Sequence, residues 1–322
     1  NPLGGIHGET QMSLHRKLKN SWANFWFEPS TPANLGVSRL FFFGALFLYY
    51  LPQDLSAWGG VSKDFWMPIG LFEHFHIPIF SEEILLWLEV IWKGALLLSA
   101  LGLWTRPASF VSFILGAYLL GIPHNFGKVH HFDAMVVLIM GFLALSYCGD
   151  GWSLDRLIRV AREGNKPTPR YPDMSGEYTW PIRTAWMVMT LIIFAAGVAK
   201  LRFSGIGWMT SDNMKVLLIQ QSYHLSAADP IGPFNLIAAG IPWVPRFIAV
   251  STVIFEAGYP FALFFPRLRL ILVPAVILML IGIRVLMGPE FQLFIFCHVF
   301  WVSWNRIGSW VKEKMKEGKF SG

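Results

Sequence analysis

Leu268–Met287 reads LRLILVPAVILMLIGIRVLM, an almost unbroken apolar run whose charges, Arg269 and Arg284, sit near its two ends. About 20 apolar residues is the length an α-helix needs to cross a hydrocarbon core of roughly 30 Å. The chain around this run has the same character. Of its 322 residues 54% are apolar and 14% are charged, against about 25% charge in an ordinary soluble domain. Aromatic residues reach 16%. This excludes a disordered chain, which is poor in aromatics, and argues against a soluble globule. The class that fits is an all-α integral membrane protein, a polytopic bundle of about eight transmembrane helices.

Length and apolarity place the spans at Gly36–Leu51, Glu82–Trp104, Pro107–Ile122, His131–Cys148, Trp180–Leu201, Pro245–Phe265, Leu268–Met287 and Phe291–Trp304. The domain plan is a cytoplasmic N-terminal segment over 1–33, a transmembrane domain over 34–305 and a basic cytoplasmic tail over 306–322. No secretory signal peptide is expected, because the first long apolar run begins near Val37 after a polar stretch. Cys148 and Cys297 are too few for a disulfide framework or a thiolate metal site, and no metal is expected.

Positive charge sets the orientation. With both termini in the cytoplasm, sixteen Lys and Arg fall in cytoplasmic segments and six in outer ones. The protein is therefore expected in the cell inner membrane. The basic residues lie in short loops rather than along one polar face, which argues against nucleic acid as a partner. Two long outer segments, 52–81 and 202–244, are aromatic-rich and suit interfacial or re-entrant pieces.

Ionisable groups inside a span are expensive, so each is a candidate. Glu89 and Lys93 share a helix face at i, i+4 and read as a structural ion pair before a catalytic one. Glu256 either serves function or bonds a neighbouring helix. Arg284 either faces the site or snorkels to the headgroups. His298 alone in an apolar helix reads as a satisfied core histidine. Lys200 ends the small-residue run Phe194-Ala195-Ala196-Gly197-Val198-Ala199. Small residues let helices approach closely, and a poorly hydrated site favours the neutral amine that acts as a base. His131, Asp133, Lys200 and Arg284 all fall in the outer half, which points to a polar pocket open to that side.

The stretch Val129-His130-His131-Phe132-Asp133, followed by Gly151-Trp152-Ser153-Leu154-Asp155 and by Ala196-Gly197-Val198-Ala199-Lys200-Leu201, resembles the membrane domain of vitamin K-dependent gamma-carboxylases and their bacterial relatives, the HTTM family. Leu103-Trp104-Thr105-Arg106 and Glu256-Ala257-Gly258 add to the likeness. The resemblance covers roughly Asn34 to Trp304. It implies that Lys200 is the base acting on a quinol (vitamin K-like) or lipid-like cofactor, that His131 is catalytic with it, and that the site faces the outer side. His130, Asp133, Glu256 and Arg284 are then the candidate cofactor-binding residues, with Asp133 orienting a partner. Full carboxylases carry a large extramembrane domain for which this sequence has no room, so the smaller bacterial relatives that mature secreted peptides are the nearer likeness.

Two functions compete, ahead of a third, transport, for which the sequence offers no paired broken helices or repeat symmetry. The first is an enzyme of carboxylase-like chemistry with a peptide substrate. The second is a non-catalytic quinone- or lipid-binding scaffold for a partner membrane protein. The enzyme reading expects Lys200 and His131 to face one cavity. A Lys200 turned to bulk water or into a surface salt bridge removes the catalytic role.

Overall fold

Apolar runs without free backbone partners must close their hydrogen bonds internally, and in this chain they do so as helices. The computed structural model describes residues 16–17, 19–127, 132–163, 174–221, 223, 233–289 and 291–319. Among them the only extended pairing is an isolated antiparallel bridge between Ser30 and Ser175. The main helices are α1 (Pro32–Tyr50), α2 (Glu82–Leu101), α3 (Thr105–Gly121), α4 (Phe132–Leu145), α5 (Leu154–Glu163), α6 (Trp180–Ser204), α7 (Asn213–Gln220), α8 (Phe234–Gly240), α9 (Val244–Gly258), α10 (Pro266–Met287), α11 (Gln292–Cys297) and α12 (Trp304–Lys319).

Five of these helices, α1, α2, α3 with its extension to Phe126, α6 with the turn before it, and α10, are long and apolar enough to cross a membrane. A sixth span is reached if α8 and α9, bent by 103° across a short break, count together. The sequence expectation of about eight is therefore higher than the helix lengths give. The run from His131 forms a helix of 14 residues, about 21 Å long and short of a full crossing. The run from Phe291 divides into α11 and a 3-10 turn, His298–Trp301. The run from Pro245 stops at Gly258, two residues before Pro260, whose missing N–H cannot continue the ladder. Pro274 sits inside α10 without ending it, as membrane helices tolerate.

The chain divides into two packing units. The first takes Asn1–Phe126, Ile139–Ala185 and Val302–Gly322. In it α2 packs between α1 and α3. Trp92 is fully buried and donates its indole N–H to the Ser112 carbonyl at 3.0 Å. Gly116 makes room for it, because a Cβ there would meet Met140 at 2.6 Å and the Trp92 indole at 3.0 Å. At one end of this unit the segment 51–81 covers the start of α2 and the end of α3. Asn125 accepts from the Met67 and Ile69 amides at 2.9 and 2.8 Å, and Phe72 stacks on Tyr118.

Segments that the charge rule assigns to the cytoplasm gather at another end of the same unit. The Trp304 amide donates to Asn34 at 2.8 Å, and the Thr31 hydroxyl to Asn305 at 2.9 Å. Asp155 caps α3 by accepting from the amides of Trp104 and Thr105, both at 2.8 Å. The α2–α3 turn is possible because Gly102 adopts φ +70, a conformation glycine enters without steric penalty. Arg183 pairs with Glu28 at 3.0 Å.

The second unit takes Gly127–Leu138 and Trp186–Trp301. Met214 and Leu218 of α7, Ala238 and Ala239 of α8 and Ala249 of α9 form a buried cluster, with Trp208 and Ile248 packed against it.

Candidate functional site

The small-residue run at the end of α6 does what its composition suggests. Gly197 is buried against α9, where a Cβ would lie 2.8 Å from both the Ala257 amide nitrogen and the Glu256 β-carbon. Only a residue without a side chain allows this approach. Three residues on, and so on the same helix face, Lys200 reaches Glu256. Its Nζ lies 2.8 Å from Oε1 and 2.6 Å from Oε2. The side chains are 21% and 7% exposed. Lys200 is therefore neither in bulk water nor at an open surface; its amine is held in a partly buried, two-oxygen pair.

Trp208 adds an aromatic wall, with Lys200 Nζ 5.6 Å from its ring centroid. That distance suits a cation–π contact. The indole N–H of Trp208 is buried and has no hydrogen-bond partner among the described residues. A buried donor left unpaired costs about 1–3 kcal/mol, and the indole N–H groups of Trp26, Trp301 and Trp304 share this condition among the described residues. Sequence reasoning missed Trp208; the signal available was an aromatic eight residues past the lysine in a segment already marked as aromatic-rich.

The other candidates have described contacts of their own or lie outside the described residues. His130 and His131 lie outside the described residues. Asp133 is buried in the first turn of α4. Arg284 donates from Nη1 to the Gly288 carbonyl at 3.0 Å, closing the last turn of its own helix α10. Glu89 and Lys93 form their i, i+4 pair at 2.6 Å. Both also tie down the chain after α1. Glu89 accepts from the Leu55 and Ser56 amides at 2.9 Å each, and Lys93 donates to the Gln53 carbonyl at 2.7 Å. That is the structural role. His298 is a satisfied core histidine: Nδ1 lies 2.9 Å from the Phe294 carbonyl, so it carries the proton, and Nε2 accepts from the Tyr259 hydroxyl at 3.1 Å.

A quinol-like cofactor needs a proton acceptor, a hydrogen-bond donor and a flat apolar face. Lys200 with Glu256, the Trp208 N–H and the Trp208 ring are of those three kinds, so the residues fit such a group. Among the described residues no cluster of three or more His, Cys, Asp or Glu is arranged to hold a metal ion. Comparison of the chain with family models, curated proteins and solved structures finds no match to any of them.

Proposed function

We propose that the chain is a multi-pass inner-membrane protein with both termini in the cytoplasm, and that its Lys200–Glu256 pair is the proton-accepting site of an enzyme acting on a quinol- or lipid-like cofactor. The membrane part is supported by the apolar helices of spanning length. That the starts of α1 and α12 share one side is supported by the two contacts between them, and the cytoplasmic sense by the excess of Lys and Arg in the segments assigned to that side. The resemblance to gamma-carboxylases, with reduced vitamin K as cofactor and a secreted peptide as substrate, follows the same lines as this chemistry.

The observation that carries the catalytic reading is the contact of one amine with both oxygens of one buried carboxylate. A partly buried ion pair gains little net stability, because desolvation offsets much of its Coulomb energy. Passing the proton from Nζ to Glu256 leaves a neutral amine beside a neutral acid, still hydrogen-bonded. Glu256 thus stores the proton and Lys200 presents the base. Trp208 orients an oxygen acceptor through its N–H. A bound quinol would supply the reducing electrons; the protein supplies the base, the donor and exclusion of water.

The test is oxygen-dependent consumption of reduced vitamin K by the full chain in nanodiscs. Wild type consumes it, and Lys200→Ala and Glu256→Gln do not. Binding without consumption in wild type favours the scaffold reading, in which the same pair only clips α6 to α9. Neither binding nor consumption removes the cofactor class.

A further inference from the structure

Two tryptophans in the first unit stand in a backbone conformation that bulky residues avoid. Trp104 has φ +48 and Trp152 has φ +47, the left-handed region where a β-carbon crowds the following carbonyl. Each is bonded through its backbone to a charged side chain, half-buried Asp155 in one case and buried Arg39 in the other. The Trp104 amide donates to Asp155 at 2.8 Å, and the Trp152 carbonyl accepts from fully buried Arg39 at 2.7 Å. Close packing leaves no slack, since a Cβ on Gly36 would collide with the Gly151 backbone. The result is that both indoles turn outward, 69% and 66% exposed.

Basic amphipathic helices share this end. In α5, which follows Trp152 directly, Leu157 and Ile158 are exposed beside Arg156 and Arg162. α12, bonded to the entry of α1, exposes Ile307, Trp310, Val311 and Met315, a stripe at helical spacing. Its sequence carries five basic residues against two acidic ones. The helix over 19–27 exposes Trp22 and Phe27, begins with Lys19 and comes just after Arg16 and Lys17.

We propose that this end of the first unit is a docking surface for anionic phospholipid headgroups of the cytoplasmic leaflet. Indoles seek the headgroup level, basic side chains seek anionic lipid, and an apolar stripe on a cationic helix lies in the interface. Exposed tryptophans imposed by left-handed backbone, beside cationic helices, match that occupant in charge and in polarity. The inference rests on the reading of the chain as a membrane protein and is independent of the chemistry at Lys200.

The experiment reconstitutes the full chain in an equimolar mixture of phosphatidylglycerol and phosphatidylcholine, extracts it gently and weighs the retained lipids by native mass spectrometry. Phosphatidylglycerol is expected in about fivefold excess. Arg156→Gln with Arg162→Gln lowers that excess at unchanged helix content. Trp152→Gly is the sharper variant: glycine relieves the left-handed backbone, so the thermal midpoint stays or rises while the total lipid retained falls. Equal retention of the two lipids by wild type overturns the proposal. So does a Trp152→Gly protein that keeps the full amount of bound lipid, whatever its midpoint. Release of the chain from membranes by an alkaline carbonate wash is a different failure, that of the membrane reading itself.

Discussion

Gly197 packs so close to Glu256 that a β-carbon added at residue 197 would stand 2.8 Å from the glutamate's own. One helical turn later on the same face, Lys200 holds both oxygens of that carboxylate. The glycine sets the helix separation at which the amine can reach.

Gly197→Ala therefore forces backbone apart rather than a flexible side chain. The expected cost is about 1–3 kcal/mol, seen as a lower unfolding midpoint in detergent. Loss of the proposed activity is expected with it, because α6 and α9 move apart at the pair. A midpoint equal to wild type means the two helices do not meet as closely as described.

Lys200→Met leaves the Glu256 carboxylate buried without a partner and is expected to cost about 3 kcal/mol. Adding Glu256→Leu removes the orphaned charge, and the double variant recovers to within about 1 kcal/mol of wild type. The proposed quinol-consuming activity is expected to be absent in both. A double-mutant cycle on unfolding free energies measures the coupling, and additive losses in that cycle contradict the pair.

Glu89→Ala removes the acceptor for the Leu55 and Ser56 amides and the partner of Lys93 together. About 3 kcal/mol of destabilisation follows. The hydrogen exchange of residues 55–57 speeds up. The proposed consumption of a quinol, measured per folded molecule, is expected to stay at the wild-type rate.

Asp54 is exposed and outside the spans. Its carboxyl accepts from the Ser56 hydroxyl at 2.6 Å and from the Ser56 amide at 3.0 Å, and the hydroxyl bond foremost holds it below the usual carboxylate range. A depressed carboxyl contributes stability above its unfolded value and loses it as pH falls through its folded value. Acidification below the ordinary aspartate range is thus expected to loosen the turn at 56–60. Exchange of the Ser56 and Ala57 amides, compared between wild type and Asp54→Asn, reports it: the variant shows no acid-dependent change beyond the intrinsic one.

Tyr259→Phe leaves His298 Nε2 buried without its donor, at a cost of about 1–3 kcal/mol. His298→Phe in the same background removes the orphaned nitrogen and restores part of the loss. Unfolding midpoints of the three proteins decide it.

The helical class was legible because hydropathy is summed along contiguous residues. The Glu89–Lys93 pair was legible for the same reason, since i, i+4 is fixed by one helix. The number of full spans was less so. Apolar composition over Pro245–Phe265 and Phe291–Trp304 does not register where a helix ends, and there the backbone breaks at Pro260 and tightens at His298–Trp301. At the site the sequence marked Lys200 and Glu256 individually, as costly charges, and paired the lysine with His131, which lies outside the described residues.

From the sequence alone came the apolar segments, the sign of the loops between them and the charged residues that needed an explanation. Each follows from the transfer energy of neighbours along the chain. The partner of Lys200 did not come from it, because Glu256 is 56 residues away. Which two helices cross, and at what distance, depends on where a residue without a side chain meets a facing backbone. That is a property of two surfaces fitted together, and only the tertiary structure contains both.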